Sequence, residues 1–349
     1  MRHILLSLNL LIMLTMTNCS STTTYANENQ NAKNAISSLE AIEINGVKQW
    51  VMIRSLDTSN PILLYFHSGP GTSELPLVWH FNSELEKHFT LVYLEQRGTV
   101  KSFKKRVFNE TLSIEQFVED GYELSKYLLK RFNQEKLFIV GHSWGTVIGT
   151  KLAMLHPELY HAYIGIGQVV YPMRGEQLSC QYAYSQAVES NNQKALEKIN
   201  KPSYLTTENN PKWYKQLKAQ RQWLTYFGGV NHNQTDNKQF SRIYMKSPGY
   251  SLWDMMKFVR GSAMSLKRLW PEFMTINFLQ THTEFQIPIY FIQGEHDYNC
   301  PTELVREYYQ KISSPKKELQ IFEQSAHNPN FEEHQKFHTW LIQNLKSNE

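Results

Sequence analysis

One short segment of this chain has residue types suited to nucleophilic chemistry at a spacing the backbone can use. Gly141-His142-Ser143-Trp144-Gly145 lies between an apolar run, Leu137-Phe138-Ile139-Val140, and a helical stretch over 146–156. A sharp strand-to-helix turn there lifts the Ser143 hydroxyl above a sheet and strains the backbone around it. Glycines at 141 and 145 let neighbouring chain approach where a Cβ would clash. The next amide, on Trp144, falls at a helix N-terminus, where it can stabilise negative charge. A serine hydroxyl needs a base, and the base needs an orienting carboxylate. After a turn of this kind the chain order is serine, acid, histidine. Asp297 follows the apolar run 288–292, and His327 follows the run 319–322. Both sit just past a strand end, where sites in parallel sheets collect. Ser143, Asp297 and His327 are therefore the candidate triad. Glu295 and His296 compete on position alone, and His142 is expected to pack beneath the turn.

A developing oxyanion needs a second donor, expected in the loop after the third strand. That loop is His67-Ser68-Gly69-Pro70-Gly71. Pro70 has no N–H, which leaves the Gly69 amide. The elements that must position these groups are legible as periodicity. Runs 38–44 and 49–53 flank Asn45-Gly46, a hairpin signal because both residues accept positive φ. Runs 62–66, 89–94, 137–140 and 162–169 are apolar without alternation, as expected of strands buried on both faces. An amphipathic helix is predicted over 113–132, with Ser113 as N-cap and Gln116 completing a capping box. Another closes the chain over 331–345. Strands alternating with helices predict an α/β fold with a mostly parallel central sheet and helices on both faces. The rhythm breaks after the sixth strand. Residues 171–285 hold no buried-strand run and are expected to form a helical cap, with a helix over 193–199. The core is then 36–170 and 286–349. Gly228-Gly229-Val230-Asn231-His232-Asn233 has the composition of a mobile loop.

The chain has 349 residues with a net charge of +4 from scattered basic groups, so no nucleic-acid footprint is present. Arg2 and His3 precede an apolar run, 4–14, too short to span a bilayer but suited to the h-region of a signal peptide. Met16-Thr17-Asn18-Cys19 is similar to a bacterial lipobox, so 1–19 is expected to be a signal peptide and Cys19 the lipid acceptor. Cleavage after Ala26, giving a periplasmic or secreted protein, competes with that reading. Residues 20–35 are polar and are expected to form a flexible tether. Two further cysteines, Cys180 and Cys300, are expected to be unrelated thiols; their distance cannot be read from sequence.

Taken together, the motifs resemble those of the prolyl aminopeptidases and their α/β-hydrolase relatives. His67-Ser68-Gly69-Pro70-Gly71 is similar to that family's HGGPG signature. Glu95-Gln96-Arg97-Gly98 with Lys101-Ser102 is similar to its DQRGxGxS segment, and Gly141 to Gly145 to its GGSWG elbow. Ser68, Glu95 and Val100 depart from the pattern and leave the triad residues in place. The resemblance implies an α/β-hydrolase fold, no metal or organic cofactor, and an oxyanion hole of the Gly69 and Trp144 amides. It also implies a small-molecule or short-peptide substrate whose free amine is held by cap acids. Glu176, Glu189, Glu208, Asp236 and Asp254 are candidates for that role. Cap aromatics, Trp213, Trp223, Trp253 and Trp270 among them, could line a pocket or form the cap's own core. An esterase or other small-acyl hydrolase shares this machinery, and an inactive binding lipoprotein is the alternative from another class. A dehalogenase or epoxide hydrolase would carry Asp where Ser143 stands.

Overall fold

The computed structural model describes residues 23–24, 34–108, 112–199, 210–247 and 249–346. The segment expected to be a signal peptide, with Cys19, lies outside them, as does Glu208. One nine-stranded sheet organises the chain: β1 (Thr23–Thr24), β2 (Ile36–Ile44), β3 (Val47–Ser55), β4 (Ile62–Phe66), β5 (Thr90–Glu95), β6 (Leu137–His142), β7 (Tyr160–Ile166), β8 (Ile289–Gly294) and β9 (Lys317–Phe322). Their spatial order is β1-β2-β3-β5-β4-β6-β7-β8-β9. The first three pairings are antiparallel and all others parallel. Thr23 and Thr24 pair with Leu39 and Ser38, so part of the stretch expected to be a tether adds to the sheet edge. Asn45 and Gly46 take φ of 47° and 74° and close the β2–β3 hairpin, as their types demand.

Every residue of β4, β5, β6 and β8 is buried. This is what continuous apolar runs require when helices cover both faces. The helices of the two layers are α1 (Leu75–Asn82), α2 (Ile114–Phe132), α3 (Trp144–Leu155), and, after the cap, α10 (Thr302–Lys311), α11 (Pro329–Glu332) and α12 (His334–Lys346). Along β4 the side chains alternate between two cores. Ile62, Leu64 and Phe66 join α2, α3 and α10, while Leu63 and Tyr65 join α1 and α12. Ser113 caps α2 by accepting from the Gln116 amide at 3.3 Å, but the Gln116 side chain reaches Asp120 rather than completing a capping box. The closing helix is broken at Glu333. That carboxylate turns back to accept from the Gln324 amide at 3.1 Å and the Ser325 hydroxyl at 2.6 Å.

Between β7 and β8 the described residues form six helices: α4 (Pro172–Glu189), α5 (Gln193–Ile199), α6 (Trp213–Tyr226), α7 (Lys238–Lys246), α8 (Leu252–Phe273) and α9 (Phe278–Thr281). Cys180, Ala183, Ala187, Leu217, Leu224 and Trp270 form a separate small core there, with Trp213 and Trp223 packed against it. Most of the cap tryptophans thus hold the cap together, and Trp253 is the exception, 63% exposed.

Candidate active site

The backbone of β6 and α3 makes the elbow. Ser143 has φ 52° and ψ −116°, a conformation L side chains rarely adopt and one held by its surroundings. Its amide donates to Ile166 O at 2.8 Å. The flanking glycines are obligatory. A Cβ on Gly145 would stand 2.0 Å from Phe66 O, and one on Gly141 2.5 Å from Gly145 O. Trp144 begins α3, and its indole donates to Gln96 Oε1 at 2.8 Å, tying the elbow to the loop after β5. Arg97 beside it forms a buried bidentate pair with Asp120 on α2, at 2.5 and 2.6 Å. The segment Glu95 to Gly98 therefore braces the elbow.

Asp297 and His327 come from the loops after β8 and β9. His327 Nδ1–H donates to Asp297 Oδ2 at 2.9 Å, and both side chains are buried. Asp297 also accepts from the amides of Asn299 and Cys300, each at 2.8 Å, and from Gln293 Nε2 at 2.9 Å. Four donors on one carboxylate fix its position. The His327 ring lies against Gly167, where an added Cβ would meet it at 3.0 Å, and its centroid is 5.3 Å from that of His142. Ser143 and His327 are thus neighbours, but no hydrogen bond joins them among the described residues. Nε2 of His327 instead accepts from Asn299 Nδ2 at 3.0 Å. Glu295 pairs with Arg306, and His296 stacks on His232, so neither competes for the triad.

His142 does pack beneath the elbow, and it has work there. Its Nδ1 bonds Glu74 Oε1 at 2.7 Å and its Nε2 bonds the backbone oxygen of His327 at 2.9 Å. Burial disfavours charge on both partners, but their mutual attraction wins: Glu74 is held below the ordinary carboxylate value and His142 above the ordinary imidazole value. A buried ion pair thereby supports the loop carrying His327. Sequence offered no signal for Glu74, 68 residues away.

On the opposite side, Gly69 takes φ 143°, and a Cβ there would meet the Gly71 amide at 2.6 Å. His67 fixes this loop from below. It bonds Ser68 O at 2.6 Å and accepts from the Gln96 amide at 3.2 Å, and burial lowers its pKa to about 4. Among the described residues neither the Gly69 nor the Trp144 amide has a hydrogen-bond partner.

Gly69, Ser143, Trp144, Asn299 and Cys300 line the floor of a cavity of about 940 Å³. Burial pushes the Cys300 thiol well above its ordinary value, so it is a neutral wall and no rival nucleophile. Among the described residues no disulfide involves Cys180 or Cys300. The roof is cap: Leu217, Trp223, Leu266, Trp270 and Phe273 give apolar surface, and Glu176 and Asp236 give charge. Of the four candidate acids among the described residues, these two reach the cavity. Glu176 is buried and its two oxygens both accept from Arg221. Asp236 pairs with Lys238 at 2.6 Å. Glu189 is exposed and bonds Gln186, while Asp254 is consumed in a full capping box with Ser251 and a bond from Lys101.

The loop expected to be mobile is pinned. Val230 O accepts from the His327 amide and Gly229 O from the Tyr298 amide, both at 3.0 Å. Asn231 is fully buried, and the His232 amide donates to Glu332 at 2.6 Å. Its composition suits flexibility, but tertiary hydrogen bonds decide the outcome.

Residues 79–334 match the family described as serine aminopeptidase, S33. Over 309 residues the chain is 32% identical to "Probable aminopeptidase YbaC" of Bacillus subtilis (strain 168), covering 86% of this chain and 94% of that protein. Its fold is similar to that of the proline iminopeptidase of Mycobacterium smegmatis, with a TM-score of 0.60 and 14% identity over 89% of this chain and 98% of the other. A thermophilic esterase is as similar, with a TM-score of 0.59 and 16% identity over the same shares. The likeness to both extends to the α/β-hydrolase fold alone. The family match runs through the elbow, the cap and the histidine loop, so the chain belongs to the serine aminopeptidase S33 family and is a hydrolase.

Proposed function

We propose that the chain is an aminopeptidase that releases the N-terminal residue of a short peptide through an acyl-enzyme on Ser143, with proline the first residue to try. The observation that carries this reading is the Asp297–His327 pair against the Ser143 elbow, under a cavity that also holds the Glu176 carboxylate. In this mechanism His327 takes the Ser143 proton as the oxygen attacks the scissile carbonyl. Asp297 holds the imidazole in the Nδ1–H tautomer and stabilises its positive charge. The Gly69 and Trp144 amides donate to the oxyanion. His327 then protonates the departing amine, and a water molecule repeats the cycle to free the acid. An incoming ammonium would share Glu176 with Arg221 or draw on Asp236.

A second reading, hydrolysis of a small ester, is favoured by one feature: both cavity acids are already paired with cations, while Leu217, Trp223, Leu266, Trp270 and Phe273 offer apolar surface to an acyl group. Hydrolysis of prolyl-nitroanilide with a free amine is measured beside that of a short-chain nitrophenyl ester. Ser143-dependent cleavage of the amide, abolished by blocking its amine, supports the aminopeptidase. Cleavage of the ester alone transfers the proposal to the esterase. A chain whose Ser143 resists a fluorophosphonate probe is a binding protein instead.

We further propose export, with Cys19 as lipid acceptor; the N-terminal sequence supports this. Mass spectrometry of the mature protein tests it, and an unmodified chain beginning at Met1 overturns it.

A further inference from the structure

The five most exposed large apolar side chains among the described residues all fall in the cap, four on α8 and one near the end of α7: Leu252 (77%), Val259 (69%), Met245 (66%), Trp253 (63%) and Met256 (61%). The next, Leu155 on α3, is 53% exposed and lies elsewhere. Leu252, Met256 and Val259 follow i, i+4, i+7 spacing and form one ridge of α8, with Trp253 on its shoulder. Met245 adds the end of α7. Soluble surfaces scatter such residues singly, so a ridge calls for a partner.

Loose packing does not explain the ridge. The inner face of α8 meets the rest of the protein as closely as backbone allows. A Cβ added to Gly261 would lie 2.5 Å from Gly98 O, and one on Gly71 2.7 Å from Ser265 Cβ. The helix is therefore clamped to the elbow-bracing loop and to the Gly69 loop, and it holds its outer face outward.

Charge selects the partner. From Lys238 to Arg268 the chain carries seven basic side chains and one acid, Asp254. That acid is buried and already takes Ser251, Lys101 and Lys257. Arg242 and Lys246 on α7 and Arg260 on α8 are exposed. Arg260 lies over Phe103, and exposed Lys104, Lys105 and Arg106 follow in the next turn. A symmetric contact with a second copy would set these cations against each other. An anionic lipid surface instead accepts both parts: the acyl boundary takes Leu, Met, Val and Trp, and the headgroups take the cations. Among the described residues no helix is long and apolar enough to cross a membrane, so the contact is with the surface.

We propose that the α7–α8 face of the cap docks on anionic phospholipid bilayers. Docking brings substrate chemistry close to the interface. Α8 runs on into the cavity wall through Leu266, Trp270 and Phe273, and Val259 and Leu266 are about 10 Å apart along its axis. The inference stands apart from lipidation of Cys19 and from the identity of the substrate.

The test uses the full chain with Cys19→Ser, so that no acyl anchor is present. A nitrobenzoxadiazole fluorophore is placed at Met256→Cys and, separately, at Glu303→Cys on α10; the chain without an added cysteine gives the background. Vesicles are phosphatidylglycerol and phosphatidylcholine in equal parts, or phosphatidylcholine alone. The expected result is a blue-shifted, several-fold brighter emission at position 256 on the anionic vesicles only, reduced by salt, with position 303 unchanged. The triple variant Arg242→Gln, Lys246→Gln, Arg260→Gln should weaken binding about a hundredfold, given roughly fivefold per cation, while hydrolysis of a soluble chromogenic ester stays at the parent rate. An unchanged spectrum at 256, or equal responses at 256 and 303, overturns the proposal. So does a lipid-free dimer that Leu252→Ser with Met256→Ser dissociates, which would make the ridge a self-association surface.

Discussion

The floor and the roof of the cavity are built on different principles. On the floor, residue type follows from backbone geometry: φ 52° at Ser143, and space at Gly141 and Gly145 for no Cβ at all. On the roof no such constraint acts. Glu176, Trp223 and Leu217 stand on ordinary helices and Asp236 just before α7, where the backbone does not dictate residue type. The floor can therefore set the chemistry for a whole family, while the roof selects among substrates. The same difference explains how an iminopeptidase and an esterase match this fold equally well.

Substitutions test that contrast. Ser143→Ala should lower kcat by roughly 10⁶ with the fold intact, and Asp297→Asn by roughly 10⁴ through the wrong imidazole tautomer, for every substrate alike. If either loss depended on the substrate, the division between floor and roof would fail. Glu176→Gln should act the other way. It should raise KM for a free-amine substrate by about tenfold and leave a neutral ester within about twofold, since one charge-assisted bond is at stake. Equal effects on both substrates would make Glu176 a structural partner of Arg221. Asn299→Ala frees Nε2 of His327 for Ser143, and labelling by a fluorophosphonate should speed up by about fivefold, the worth of one hydrogen bond. Slower labelling would mean that Asn299 positions His327 rather than competing with Ser143.

The smallest effect on turnover is expected at Glu95→Gln, which acts on stability. Burial pushes Glu95 up to about 7 against bonds from Ser73, Tyr250 and the Lys101 amide. As pH rises from about 4.5 to about 7 the unfolded chain gives up this proton and the folded chain keeps it. The native state then holds more protons, so wild-type stability falls through this window. The glutamine variant has no proton to lose. Its stability relative to wild type should rise by on the order of 2–3 kcal/mol over the same window, measured by urea unfolding at several pH values. A pH-independent difference would refute the raised value.

Legibility in the sequence follows the same division. Asn45-Gly46, the buried strand runs and the elbow were readable because each local geometry admits few residue types. Asn299 and Glu74 were not, because their roles exist only where distant loops meet. The Ser251–Asp254 capping box is local, an S-x-x-D signal at the start of α8. Glu333 broke the closing helix through bonds to Gln324 and Ser325 that no helical periodicity foretells.

The pinned loop has a consequence for recombination between relatives. Its grip on the acid and histidine loops is written in two carbonyl oxygens, at Gly229 and Val230. Those oxygens belong to the backbone, so the path of the loop makes these two bonds and the side chains at 229 and 230 do not. A graft that exchanges the cap at its sequence boundaries would carry the right side chains and still set His327 adrift if the loop followed another path. Chimeras of this enzyme should therefore be cut outside 228–233 and judged by the protection of the His327 and Tyr298 amides from hydrogen exchange.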